Sequence, residues 1–170
     1  LNAFTGETGT ARLKSDQIPI PIPQVARQWR DSGRPWVAVG DENYGEGSSR
    51  EHAAMEPRHL GGLVVMVRSF ARIHETNLKK QGVLPLVFAD PAIYDQIVEG
   101  DAISILGLAE LAPDTAVSCV LHHQADSDDV DFICTHTLTA EQIEWFRAGS
   151  ALNLVRRRFA PESGAPATQG

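Results

Sequence analysis

Gly40-Asp41-Glu42-Asn43-Tyr44-Gly45-Glu46-Gly47-Ser48-Ser49-Arg50 is the stretch on which the reading of this chain turns. The apolar run Val37-Ala38-Val39 leads into it, and Glu51-His52-Ala53-Ala54-Met55 leads out as a helix start. Strand, glycine-rich turn and helix therefore follow one another. Glycine lets the backbone take positive φ angles and come close to a ligand. The first N–H groups of a helix are unpaired and its dipole end is positive, so an anion is favoured there. Two hydroxyls and a guanidinium, Ser48, Ser49 and Arg50, arrive at that point and read as a carboxylate or phosphate cradle. On spacing alone a plainer reading stands equal to it: a serine-capped helix after a turn, with Arg50 in solvent. A phosphate-binding P-loop would end in Lys-Ser/Thr and a dinucleotide turn would show its three-glycine spacing, and this stretch has neither.

Outward from the turn, apolar runs at Val37–Val39, Leu63–Val67, Val83–Phe88 and Ala102–Leu106 predict buried strands. Between them lie helix signals. Phe70, Ile73, Asn77 and Leu78 set a stripe on a helix over Phe70–Lys80, with Glu75 placed to pair with Lys79 and Gly82 beyond the end. Asp90-Pro91 reads as an N-cap followed by proline at the first helical position, closing at Gly100. This alternation argues a βαβ core with right-handed crossovers. After Gly107 the pattern changes to a hairpin, Ala116–Leu121 and Val130–Thr137, around an acidic tip at Gln124–Asp129. Thr139-Ala140-Glu141-Gln142 fits a capping box before a last amphipathic helix. Ahead of the core, Leu1–Asp16 reads as a loop or arm. Ile18-Pro19-Ile20-Pro21-Ile22-Pro23 reads as extended, since alternating proline forbids a helix. A short helix follows from Gln24 to Ser32. The division expected is an arm over 1–35, a domain over 36–155 and a frayed tail over 156–170.

The length, 170 residues, gives one domain large enough for a real core. The net charge of −7 argues against a nucleic-acid surface, and no apolar run approaches membrane-spanning length. Leu1 begins no signal or transit peptide, which leaves the compartment open. Cys119 and Cys134 read as reduced and buried rather than as a disulfide framework. His122-His123 and Cys134-x-His136 carry ligand types that zinc accepts, but neighbouring residues on a strand point to opposite faces and no paired-cysteine module is present. No metal ligands are assigned.

Three ordered blocks carry a resemblance. Asp41 through Ala54 with Glu56-Pro57-Arg58-His59-Leu60-Gly61-Gly62, Ser69 through Gly82, and Gln142 through Asn153 together resemble the aconitase C-terminal (swivel) domain. The likeness runs from about Trp36 to Asn153. The Pro-alternating segment departs from the family, which is shorter and less proline-rich there. The resemblance implies an α/β three-layer swivelling domain: a small, mostly parallel sheet flanked by helices, with an added antiparallel strand pair. It implies a part in citrate–isocitrate isomerisation through cis-aconitate. It also implies a 4Fe–4S cluster held by other domains, since two cysteines cannot ligate one. Those cluster-bearing domains, in cis or as a separate subunit, would be the partners, with the mitochondrial matrix or else the cytoplasm as the address.

By the same resemblance Ser48 is the base that removes a proton beside a carboxylate, while Ser49 and Arg50 hold a substrate carboxylate, the guanidinium by two parallel hydrogen bonds. A serine is a poor base unless its alkoxide is stabilised, and backbone N–H donors with a nearby cation are the means. Asp41, Glu42 and Glu46 are read as solvated acids with a possible orienting role. Arg58, Arg68 and Arg72 are read as structural ion-pair residues, with Arg58 or Arg72 as alternative support for the cradle's charge, and His52 and His74 as making packing or interdomain hydrogen bonds. Two alternatives stand beside this reading: a freestanding, non-catalytic interaction module, and the small subunit of an isopropylmalate-isomerase-type dehydratase, which shares the Gly-Ser-Ser-Arg-Glu-His core.

Overall fold

A computed structural model describes residues 1–14, 17–124 and 128–159. Thr10–Ala11 (β1) and Ile20–Pro21 (β2) pair antiparallel in a small ribbon. The extended Ile18–Pro23 segment expected from its prolines ends at Pro21. Ile22-Pro23 already opens helix α1 (Ile22–Asp31), because proline in a first turn removes only an N–H that has no partner there.

The core runs β3 (Trp36–Gly40), α2 (His52–His59), β4 (Gly62–Val67), α3 (Arg72–Lys80), β5 (Leu84–Phe88), β6 (Ala102–Ile105), β7 (Val117–His122), β8 (Val130–Thr135), α4 (Ala140–Ala148) and α5 (Ala151–Phe159). The six strands from β3 to β8 form one sheet in the order β3-β4-β5-β8-β7-β6. β3, β4 and β5 are parallel, joined by the crossovers α2 and α3. The other pairings are antiparallel. The mixed α/β fold expected is therefore present, and the added hairpin is β7–β8. β6, read among the core strands, instead lies antiparallel at the far edge as a third member of that group. A 3-10 turn, Pro91–Gln96, separates β5 from β6, capped by Asp90, whose carboxylate accepts the Ala92 N–H at 2.9 Å. So short a link, with no full crossover helix, leaves β8 to take the place beside β5.

Strand alternation distributes the core over both faces of the sheet. Val64 and Met66 of β4 pack with Leu84, Leu86, Phe88, Cys119, Leu121 and Ile143 on one face; Val65 and Val67 pack with Ala54 of α2 and Leu78 of α3 on the other. The helix expected over Phe70–Lys80 begins two residues later; Asn77 and Leu78 of the predicted stripe are buried, together with His74 and Lys79. Ile73 is exposed. Lys79 makes the anticipated bond to Glu75 at 2.9 Å and also donates to the Thr137 carbonyl at 3.1 Å, which ties α3 to the loop before α4. Thr139 and Gln142 form the expected capping box. Arg156-Arg157-Arg158, read as a frayed end, lie in α5, where Arg158 bonds Glu144 at 2.7 Å. Residues 160–170 of the expected tail, and 125–127 of the hairpin tip, fall outside the described residues.

Candidate functional site

The loops that follow β3 and β4, neighbouring parallel strands, lie side by side at the strands' carboxyl ends, where open α/β sheets bind ligands. Backbone bonds stitch them together. Tyr44 N–H donates to the Ser69 carbonyl at 3.0 Å, Ala71 N–H to the Tyr44 carbonyl at 3.0 Å, and Asn43 N–H to the Ser69 hydroxyl at 2.9 Å. The Tyr44 ring packs edge-on against Phe70 and His74. Gly45 sits at φ +91°, and a side chain there would overlap the His74 ring. The glycine is thus required twice, by the conformation and by the close approach.

Between the two loops opens a cleft of about 290 Å³ lined by Gly45, Glu46, Ser48, Ser49, Ala71, Arg72, Ile73 and His74. Ser48 is half-buried on its wall, and its hydroxyl accepts the Arg50 N–H at 3.3 Å. Helix α2 starts at His52, within the expected helix start Glu51–Met55. Glu51 is its N-cap, with no side-chain cap bond, so Ser48 and Ser49 precede the helix instead of capping it. The Ser49 carbonyl accepts from the Asn77 amide at 3.2 Å, which pins the serine loop to α3. Lys80 reaches Glu51 at 3.3 Å and reinforces the same junction.

Ser48 and Ser49 come together in the cleft. Arg50 is exposed beside them and is not on the lining; among the described residues none holds its guanidinium. Arg72, at the first turn of α3, is the arginine that lines the cleft. Asp41 leaves the cradle and pairs with Arg68 at 3.2 Å; Arg68 also reaches Asp95 at 2.5 Å and lies over the Tyr94 ring. Arg58 donates to the Gly149 carbonyl at 3.3 Å, a structural role. Of the three acids, Glu46 lines the cleft. The residues missed in sequence are His74, Ile73 and Asn77. Helical spacing placed Asn77 on the buried side, which was the available signal; nothing in the pattern tied it to Ser49.

The two tempting histidines diverge as strand geometry requires. His122 lies between Ser104 and Asp129, each at 2.8 Å, while His123 bonds Asp101 at 2.9 Å. Cys119 and Cys134 are buried and free, and the hydrogen-bonding contact with Cys119, reinforced by burial, pushes the Cys134 thiol well above the usual thiol range. Among the described residues no group of three or more His, Cys, Asp or Glu is placed to hold a metal.

Burial lowers the pKa of both His74 and His136, and the Lys79 charge lowers His136 further. Both rings are neutral when folded, whereas the unfolded chain binds protons below about pH 6.5. Their stability contribution is therefore complete above that pH and is lost as pH falls toward the depressed folded values, by up to ~1.4 kcal/mol per pH unit for each ring. Urea midpoints should decline from pH 7.5 to 5.5, less steeply in His74→Phe. A flat wild-type profile would contradict it.

The parallel group β3–β5, the antiparallel group beside it and a cleft at the parallel strand ends define a mixed α/β domain. The chain belongs to the family of the aconitase C-terminal domain, whose profile matches residues 2–91. It is 52% identical over 163 residues to a probable mitochondrial aconitate hydratase of Dictyostelium discoideum, covering 96% of this chain and 20% of that protein. It is 58% identical over 135 residues to the mitochondrial aconitate hydratase of Saccharomyces cerevisiae, covering 79% and 17%. The chain thus spans about a fifth of the length of the curated relatives it matches. Among solved structures, a 3-isopropylmalate dehydratase of Methanocaldococcus jannaschii is 25% identical with a TM-score of 0.50, over 72% of this chain and 64% of that one.

Proposed function

We propose that this chain is the swivel lobe of an aconitate hydratase of the mitochondrial matrix, contributing a serine base and a carboxylate clamp to citrate–isocitrate isomerisation through cis-aconitate. The observation that carries the reading is the placement of Ser48 and Ser49 on the wall of one open cleft, the Ser48 oxygen beside a backbone N–H donor. An alkoxide at Ser48 would be stabilised by that N–H and by the guanidinium of Arg50 or Arg72. It would take the proton from the carbon next to a substrate carboxylate, while Ser49 and Arg50 hold that carboxylate. Arg50, free of intramolecular partners among the described residues, keeps its fork available for two parallel bonds.

The described residues do not fit a 4Fe–4S cluster: two mutually contacting, buried thiols are too few. The cluster, a Lewis acid toward the leaving hydroxyl, belongs by this reading to domains outside this chain, which would be its partners in one polypeptide or as a separate subunit. The chain alone should not isomerise citrate. Likeness to a 3-isopropylmalate dehydratase supports a second reading, a small subunit of such an enzyme, but identities of 52–58% to aconitate hydratases favour the first. In the full-length enzyme Arg50→Gln should raise KM for citrate roughly ten- to a hundred-fold, as loss of a charge-assisted hydrogen bond predicts. An unchanged KM would remove Arg50 from the clamp.

A further inference from the structure

We infer that Ser104, His122 and Asp129 form a reactive centre of their own, at the far edge of the sheet from the cleft, where the Ser104 hydroxyl accepts an acyl group from an uncharged activated ester. Both ring nitrogens of His122 are engaged. Nδ1 lies 2.8 Å from the Asp129 carboxylate and Nε2 lies 2.8 Å from the Ser104 hydroxyl. An ionised carboxylate can only accept, so the proton of the neutral ring sits on Nδ1 and Nε2 carries the lone pair. The Ser104 O–H therefore donates to Nε2. Nucleophile, base and a group that orients the base stand in line, the arrangement by which a serine is made reactive.

Strand register supplies the surroundings. Ser104 on β6 pairs with Val120 on β7, which pairs in turn with Asp131 on β8, and His122 is the diagonal neighbour of Ser104. These side chains share the sheet face turned away from buried Val117, Cys119 and Leu121. Ser104 is half-buried and the His122 side chain is 38% exposed, so a small reagent reaches both. Val120 offers apolar surface to a short acyl chain, while Asp129 and Asp131 repel an anionic one. β6 is the outermost strand of its sheet. The Leu106 N–H turns inward to the Ser118 carbonyl at 2.8 Å, so by alternation the Ile105 N–H points off the open edge, with no partner among the described residues. It is a donor, on the residue after the nucleophile, for the oxygen that becomes negative in a tetrahedral adduct.

With an aryl ester, the Ser104 oxygen bonds the carbonyl carbon as its proton passes to Nε2. The bond to the aryloxide then breaks, its electron pair leaving with the aryloxide and the proton passing on to solvent. An ester on Ser104 remains. Asp129 is 56% exposed and water competes for its oxygens, so the acceleration sits at the low end for a positioned base, about 10²-fold. In the full-length protein, 4-nitrophenyl acetate should therefore acetylate Ser104 about 10²-fold faster than Ser118, both rates being read by peptide mass spectrometry. Ser118 is the internal control, an exposed serine of the same face with no histidine bonded to it among the described residues. His122→Gln should bring Ser104 down to the Ser118 rate. Asp129→Asn should slow it about tenfold, because an amide can hold the other tautomer, and Asp129→Glu should restore it. A merely structural aspartate would leave the rate unchanged. Ser104 labelled no faster than Ser118, or a Ser104 rate unmoved by His122→Gln, overturns the centre.

Discussion

Ser48→Ala in the full-length enzyme should lower kcat by about 10²- to 10⁴-fold, the range a positioned general base supplies, while KM stays within a few-fold. The split follows from the role. Proton removal is made only in the transition state, whereas the carboxylate is held by other groups in ground and transition state alike. The substitution itself is mild for the fold. Ser48 is half-buried and its one described side-chain bond is to the Arg50 N–H at 3.3 Å, so its loss costs about 0.5–1.5 kcal/mol. Steady-state kinetics on a variant with an unchanged unfolding midpoint therefore reads chemistry rather than stability. A kcat within threefold of wild type would show that another group takes the proton.

Gly45→Ala should be the most damaging small substitution in the site loop. The residue sits at φ +91°, which costs an L-residue about 1–2 kcal/mol, and the added methyl meets the buried His74 ring, for about 1–3 kcal/mol more of overpacking. Together these lower stability by about 2–5 kcal/mol, or roughly 4–20 °C in Tm for a domain of this size. The loop cannot relax freely, because Tyr44 is bonded to Ser69 and Ala71 on one side and Asn77 holds Ser49 on the other. Any shift is therefore passed to Ser48, and a displacement near 1 Å lowers kcat/KM about 10²-fold. Gly47→Ala is the control for stability. No φ strain is present there and a methyl would meet nothing within 4 Å, so its Tm should move by less than about 2 °C, the effect of an ordinary surface change. Equal Tm losses in the two variants would mean that loop entropy, not the His74 contact, fixes the turn.

Local signals made much of this protein legible before any coordinates. Val37–Val39 and Leu63–Val67 announce strands because a two-sided sheet demands unbroken apolar runs. Thr139 and Gln142 announce a helix start because a capping box is satisfied within four residues. The glycine turn and the serines that follow it marked a wall of the cleft for the same reason: turn conformation and side-chain chemistry are both properties of a few adjacent residues. The long blocks from Asp41, Ser69 and Gln142 carried the family.

What sequence alone left open depends on partners distant along the chain. β6 belongs to the antiparallel edge because β8 occupies the place beside β5, a competition between strands that no local pattern records. Arg50, adjacent to the serines in sequence, stays outside the cleft lining, while Arg72, more than twenty residues on, enters it because β3 and β4 are parallel neighbours and their loops are bonded together. His74 reads in sequence as a packing or interdomain hydrogen-bonding residue. The fold seals its Nδ1 with no partner among the described residues and sets the ring against Gly45. Hydrogen-bond satisfaction and desolvation are properties of the folded surroundings, and they appear only when the segments meet.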